Sequence, residues 1–368
     1  MKAKSITYSQ SGVNYQKLDV IKKTAQNAAL ETKINLEKNG FSEVSETRGE
    51  SAFVWQQGDV LMASVIEGLG TKNLVADAMY ELTGKSYYDV IAHDTVATII
   101  NDLISVGAKP LVINAYWALG ESDLLEDENR MADLVNGWKE GCDLAGVTWG
   151  GGETPTLKGI VEEDVIEFAG SAVGIIKSAK DLITDKKLKA GDRIILLKSN
   201  GVNANGISLT RAIAKKLPQG YGTKLKNGET YGEALLTKSN IYAKLVQDLL
   251  TAGIDIHYIS NITGHGLRKI MRGRPEFTYL IEKIFEPQEV FNFIQEKAGL
   301  SDSEMYQTYN MGMDYAIFVP AKDVQKTLEI VQNNKFEAID AGVVQSGEKQ
   351  VIIKPKNLVF KGETLDLR

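Results

Sequence analysis

Asp59-Val60-Leu61-Met62-Ala63-Ser64-Val65-Ile66-Glu67-Gly68-Leu69-Gly70-Thr71-Lys72 runs from an apolar stretch straight into a glycine-rich loop. The apolar run and its length predict a β-strand over 60–66. The loop that stops it offers backbone able to approach a ligand, the Thr71 hydroxyl and the Lys72 ammonium. Its spacing is neither that of a Walker A loop nor that of a dinucleotide fingerprint. An ordinary strand-to-loop turn fits it equally well.

Working outward, residues 1–50 read as an arm followed by a helix, with a loop around Asn39-Gly40. A helix is expected from about Asp94 to Val106, where Gly107-Ala108-Lys109-Pro110 breaks it. A strand over 111–116, a helix over 129–145 and a long strand over 165–176 complete a first half. Residues 178–190 are lysine-rich and polar, which divides the chain into 1–177 and 178–368. The second half opens on the strand Ile194-Ile195-Leu196-Leu197. Helices follow from about Ser208 and near 233–252, 287–298 and 321–333, with strands near 314–319 and 338–344. The alternation predicts a two-domain α/β (α+β) protein.

The 368 residues are 43% hydrophobic and 24% charged, ample for a packed core. A net charge of -6, read with no block of lysines or arginines, argues against a broad nucleic-acid or anionic-membrane surface. Cys142 is the only cysteine, so no internal disulfide can form. The start, Met1 to Thr7, lacks the apolar core of a signal peptide. No stretch approaches the roughly 20 apolar residues of a membrane helix. A soluble, cytoplasmic protein is expected.

At about 100° per residue, Asp94, Thr98, Asn101 and Asp102 share one face of their helix. Val96, Ile99, Ile100 and Leu103 share the other. Two readings are open: a solvated polar face with Asp94 as N-cap, or hard oxygen ligands for a magnesium–phosphate site. The run Gly150-Gly151-Gly152-Glu153-Thr154 is costly to order, so close approach of its backbone to some other group is expected. Loop 199–206, with three asparagines and two glycines before a helix, reads as a capped turn or an anion nest. Asn261-Ile262-Thr263-Gly264-His265-Gly266 has a similar make-up, and His265 between glycines is expected to be accessible. His93 and His257 carry no partner pattern, Cys142 reads as a packed small side chain, and no Cys/His cluster suggests zinc.

Together these segments resemble the aminoimidazole ribonucleotide synthetase (phosphoribosylformylglycinamidine cyclo-ligase) family along nearly the whole chain. Tyr8 to Asn14 is similar to the family's opening Tyr…Ala-Gly-Val-Asp, and Glu67 to Lys72 to its Asp-Gly-Val-Gly-Thr-Lys. Tyr88-Asp89 through Asn101-Asp102 matches without a gap the segment ending in Val-Asn-Asp, placing an internal aspartate on Asp94. Gly107 to Leu111, Gly141-Cys142, Ala145-Gly146 and Gly151 to Thr154 follow in order. In the second half, Ser199 to Leu209, Ile262 to Leu267 and Tyr309 to Met313 are similar to Ser-Ser-Gly-Leu-His-Ser-Asn-Gly-Tyr-Ser-Leu, Ile-Thr-Gly-Gly-Gly-Leu and Phe-Asn-Met-Gly-Ile.

The resemblance implies two α/β domains, the first contributing strands to a barrel across a homodimer. It also implies ATP, Mg²⁺ and a small phosphorylated substrate, with no nucleic-acid or membrane partner. Glu67, Asp94 and Asp102 would hold the metal. Gly68, Gly70, Thr71, Lys72, Asn101, Gly151, Gly152, Glu153 and Thr154 would lie at the nucleotide phosphates. Asn205, Gly206, Thr263, Gly264 and Asn310 would form the substrate loops, and Asp94, Asn203 and His265 would carry the catalysis. The chain departs from the family where Asn203 replaces a histidine, Glu67 an aspartate, and Pro155-Thr156-Leu157-Lys158 the sequence Ala-Glu-Met-Pro. An amide cannot shuttle a proton near neutral pH, so either His265 compensates for Asn203 or the two loops have drifted with a changed substrate. Activation of a different small molecule and a silent ATP-binding role remain as alternatives.

Overall fold

A computed structural model describes residues 15–365, so the Tyr8–Asn14 match lies outside the described residues. The first half forms a six-stranded sheet from β1 (Ser42–Glu43), β2 (Phe53–Gln57), β3 (Val60–Gly68), β4 (Lys109–Leu119), β5 (Thr148–Glu153) and β6 (Ile166–Ile176). Its order is β1-β2-β3-β6-β4-β5, antiparallel except for the β4–β5 pair. Strict alternation in β3 and β6 turns Leu61, Ala63, Val65, Ile166, Phe168 and Ala172 inward. Met62, Ile66, Val173 and Ile175 then fall on the other face, where Ile66 is 77% exposed.

The helix Tyr88–Ile104 packs against the inner face of this sheet. It begins six residues before Asp94, so Asp94 is an interior residue and not an N-cap. All of its residues except Asp89 and Thr98 are buried. The expected solvated stripe is therefore absent, because the second half of the chain covers it.

That second half is a seven-stranded sheet made of β7 (Arg193–Lys198), β8 (Tyr258–Asn261), β9 (Phe277–Ile281), β10 (Met313–Val319), β11 (Ala338–Ser346), β12 (Gln350–Ile353) and β13 (Leu358–Lys361). The order is β13-β12-β9-β11-β7-β10-β8, antiparallel except for β12 with β9. The single helix expected near 233–252 is two, Tyr231–Leu235 and Ala243–Thr251. The break between them leaves backbone groups at 237–242 without helical partners, and those groups bind the Tyr88–Ile104 helix. The lysine-rich stretch 178–190 is not a loose linker. Ile183, Asp185 and Leu188 are buried in it, and Asp185 pairs with Arg274 at 2.9 Å.

Candidate active site

A cavity of about 420 Å³ opens between the two sheets. Strand β3 delivers Glu67 and Gly68 to it, the Tyr88–Ile104 helix delivers Thr98 and Asp102, and the 49–51 turn adds Glu50 and Ser51. From the second half come Ala204 and Asn205, then Thr263, Gly264 and His265, and finally Lys269 and Arg272. Gln26 closes one side from the helix Tyr15–Glu31.

Two carboxylates meet on one wall. Burial first, and then the neighbouring charge of Asp102, pushes the Glu67 carboxyl up to about 7. The two groups are also hydrogen-bonded to each other, which adds to the upward shift of Glu67. Asp102 is fixed by the Asn261 amide, which donates to its Oδ1 at 2.7 Å. On the facing wall Lys269 Nζ donates to Thr263 Oγ1 at 2.6 Å, and Arg272 donates to Ser51 Oγ at 2.8 Å and to the Gly49 carbonyl at 2.9 Å. The Asn205 side-chain Oδ1 accepts from Gly264 N–H at 2.9 Å, which ties the two substrate-side loops together.

Other residues proposed from the sequence stand elsewhere. Asp94 is wholly buried, accepting from Lys72 Nζ at 2.5 Å and from Ser239 N–H at 2.8 Å. Lys72 is equally buried and donates also to the Thr237 carbonyl at 3.2 Å. Asn101 donates to the Asn240 carbonyl at 2.8 Å and accepts from Tyr242 N–H at 3.0 Å. All three join the halves of the molecule and none lines the cavity. A metal shell of Glu67, Asp94 and Asp102 is thus not assembled, because both Asp94 oxygens already have buried partners. Among the described residues, no group of three or more His, Cys, Asp and Glu side chains could hold a metal ion. Gly70 and Thr71 lie in the loop beyond β3, outside the cavity lining.

The glycine run 150–154 does approach another group closely, but that group is strand β4. A Cβ on Gly152 would stand 2.4 Å from the Ala115 carbonyl oxygen, so the glycine is needed for strand pairing. Gly151, Gly152 and Glu153 on this edge strand, and Thr154 just beyond it, are exposed and outside the cavity. Gly206, at φ +75°, leaves room for Tyr309, whose ring a Cβ would meet at 2.1 Å. Asn310 is buried, accepting from Ser199 Oγ at 3.0 Å and donating to the Gly201 carbonyl at 2.8 Å, and so it braces the loop from behind.

Asn203 has a left-handed backbone, φ 56°, and its amide turns away from the cavity to donate to Asp314 Oδ2 at 2.9 Å. Burial pushes Asp314 up to about 6, against the hydrogen bonds it accepts from Tyr242 and Asn203. His265 does reach the cavity, though it is only 8% exposed rather than freely accessible. His93 and His257 both have buried partners that their sequence context did not reveal. His93 Nε2 donates to the Ser239 carbonyl at 2.8 Å, and His257 lies between Asp192 and Asp255.

Lys269 and Arg272 were missed from sequence. The signal was there in Arg268-Lys269-Ile270-Met271-Arg272-Gly273-Arg274, four cations in seven residues directly after the Thr263–Gly266 loop.

A family model described as "AIR synthase related protein, N-terminal domain" matches residues 49–176, and its C-terminal counterpart matches 189–354. A phosphoribosylformylglycinamidine cyclo-ligase of Methanosarcina barkeri is 30% identical over 363 residues, covering 98% of this chain and all of the relative. One from Methanococcus maripaludis strain C5 is 29% identical over 341 residues, 92% of each chain. Among solved structures, AaThiL complexed with AMPPCP and TMP superposes with a TM-score of 0.61 at 15% identity, over 95% of each chain. The hydrogenase maturation protein HypE in complex with ATP gives 0.56 at 16% identity, over 81% of this chain and 82% of that one. These two likenesses concern the fold.

Proposed function

We propose a function from one settled premise: this chain belongs to the AIR synthase related family of phosphoribosylformylglycinamidine cyclo-ligases. It is a ligase that uses ATP to close the imidazole ring of aminoimidazole ribonucleotide. The observation that carries this reading is the cavity between the halves, with a carboxylate pair on one wall and two cations on the other.

The formyl amide oxygen of formylglycinamidine ribonucleotide takes the γ-phosphoryl group of ATP, giving an iminophosphate and ADP. The amidine nitrogen attacks the activated carbon, the C–O bond to phosphate breaks, and inorganic phosphate leaves as the ring closes. Such chemistry needs charge neutralisation and positioning more than covalent help from the protein.

Glu67 and Asp102 fit a divalent cation shared with phosphate, since two adjacent carboxyl groups on the cavity lining form a hard oxygen pair. Mg²⁺ would supply neutralisation of phosphate charge there. Thr98, Thr263 and the Gly264 carbonyl offer hydrogen bonds to the substrate, and His265 brings an imidazole to the same lining.

A homodimer is part of the same reading. Met62, Ile66, Val173 and Ile175 make an apolar outer face on the first sheet, and β5 leaves its edge open. A second copy would cover both in a shared barrel. The functional domains are then 1–177 and 178–368, and the enzyme works in the cytoplasm. No helix among the described residues is long and apolar enough to cross a membrane.

The test is direct. Purified protein with ATP, Mg²⁺ and formylglycinamidine ribonucleotide should form aminoimidazole ribonucleotide, ADP and phosphate in equal amounts. ATP hydrolysis without ring closure would move the protein to another reaction on this scaffold.

A further inference from the structure

Strand β10 is buried along its whole length, and Met313, Tyr315, Ala316, Ile317, Phe318 and Val319 suit such a place. Asp314 is the exception, a carboxylate 2% exposed among them. Burying a charge is costly unless hydrogen bonds compensate, so its partners show what the position serves. Met313 pairs with Lys198 and Tyr315 with Leu197, which makes Asp314 the extra residue of a β-bulge. Bulges re-aim side chains. Here Oδ2 accepts from the Asn203 amide at 2.9 Å and Oδ1 from the Tyr242 hydroxyl at 2.6 Å. The Asp314 carbonyl accepts from Ile262 N–H at 2.8 Å, at the base of the other cavity loop. Loop 199–206 is secured at its ends, where Ser199 N–H donates to the Gly312 carbonyl at 3.0 Å and the helix Ile207–Ala214 begins. In its middle, Asn203 takes φ 56° and its Oδ1 is buried without a hydrogen bond, so the link to Asp314 is what holds the amide. The next two residues, Ala204 and Asn205, line the cavity, and Asn205 Oδ1 receives Gly264 N–H at 2.9 Å.

We infer that Asp314 is a positioning residue: its carboxylate seats Asn203 and thereby sets Asn205 and Gly264 on the cavity lining. What these loops hold is taken from the ring-closing reading above, on which this assignment rests, and Asp314 itself lies outside the lining. The path has three links: Asp314 to Asn203, Asn203 to Asn205 along the backbone, and Asn205 to Gly264. Tyr242 holds the carboxylate from the other side, and its own N–H donates to Asn101 Oδ1 at 3.0 Å. The anchor is thereby tied to the Tyr88–Ile104 helix that delivers Asp102. The Asn203 amide orients the loop and carries no proton.

Asn203→Asp keeps a residue type that accepts the left-handed backbone but sets two carboxylates against each other. The swapped pair Asn203→Asp/Asp314→Asn restores one amide–carboxylate bond with the partners exchanged. On each protein three things are measured: thermal unfolding, hydrogen–deuterium exchange of peptides over 199–206 and 261–266, and KM and kcat for formylglycinamidine ribonucleotide. We expect Asn203→Asp to speed exchange in both loops and to raise KM at least tenfold, the size of one charge-assisted hydrogen bond, with a smaller change in kcat. The swapped pair should recover most of both effects. Val331→Ala, a buried truncation on the helix Val324–Asn333 away from the cavity lining, should lower thermal stability and move neither. Should Asn203→Asp not fold, Asp314→Leu removes the same anchor with an apolar residue of similar shape and should give the same two changes. Unaltered exchange in either loop, an unchanged KM while the loops loosen, a swapped pair without recovery, or an equal rise of KM in Val331→Ala each overturns the inference. A wild type that closes no ring, with exchange responding as expected, removes the ring-closing reading and leaves the positioning of the loops. Ring closure with unaltered exchange does the reverse.

Discussion

The Lys72 ammonium sits 2.5 Å from the Asp94 carboxylate, and neither side chain has any exposure. Removing one partner of such a pair leaves the other charge buried, at a cost of about 3–5 kcal/mol. Asp94→Asn should therefore lower unfolding free energy in urea by about 3 kcal/mol or more. The double variant Lys72→Met/Asp94→Leu should recover most of it. Wild-type stability in Asp94→Asn with ATP turnover abolished would return Asp94 to the phosphate chemistry.

Glu67 gives the cavity a pH signature. Its folded-state carboxyl, pushed up to about 7 from an ordinary value of 4.5, holds a proton the unfolded chain has released. That contribution is complete below about 4.5 and is lost as pH rises through about 7. Wild-type stability without divalent cations should fall across this window, and Glu67→Gln should flatten the fall. Identical slopes in the two proteins would contradict the raised Glu67 carboxyl.

His257 has the opposite chemistry and the same sign. Its Nδ1 lies 2.8 Å from Asp192 and its Nε2 3.1 Å from Asp255, so both nitrogens face carboxylates, which favours the protonated ring. The Asp192 hydrogen bond is the largest cause raising it above 6.5, against burial. Stability from this charge is full below about 6.5 and lost as pH rises through the folded value. His257→Asn should destabilise by about 1–2 kcal/mol at pH 6 and by less at pH 9. Denaturant midpoints at both pH values decide it.

His265 holds φ 77° and ψ 0°, a left-handed conformation that costs a residue bearing a Cβ about 1 kcal/mol. His265→Gly should raise stability by up to that amount. If the imidazole takes part in ring closure, product formation falls at the same time, and adding Asn203→His restores part of it. A more stable variant with unchanged ring closure would leave His265 as a lining residue only.

The outer face of the first sheet predicts association. Ile66, 77% exposed, should be covered in a dimer, and Ile66→Glu should shift light scattering towards the 40.3 kDa monomer. A wild-type monomer at micromolar concentration would refute the shared barrel.

The elements with strong patterning were legible from sequence. Val60–Ile66, 165–176 and the helix over 129–145 fall within a few residues of the observed bounds, because alternation and a closing Gly146 mark them. The Tyr88–Ile104 helix was misread because a polar stripe looks the same in sequence whether it faces water or another domain. What decides between the two is backbone at 237–242, more than 130 residues away. Glycine patterns gave close approach correctly but not its object: for Gly152 that object is β4, and for Gly206 it is Tyr309. Of the substrate-side residues, Thr263, Gly264, His265 and Asn205 do gather at one cavity. Asn203 does not, since it turns to Asp314, a residue no local motif connects to it.

The polar stripe of the Tyr88–Ile104 helix has a mechanical consequence. His93, Asp94, Asn101 and Asp102 each hold a group of the opposite half, and Tyr315 adds its hydroxyl on the Asn101 carbonyl. A hinge opening between the sheets would break these bonds together, which makes it costlier than moving a single loop. The carboxylate wall shares the same brace, since Asn261 of the second half holds Asp102 in place.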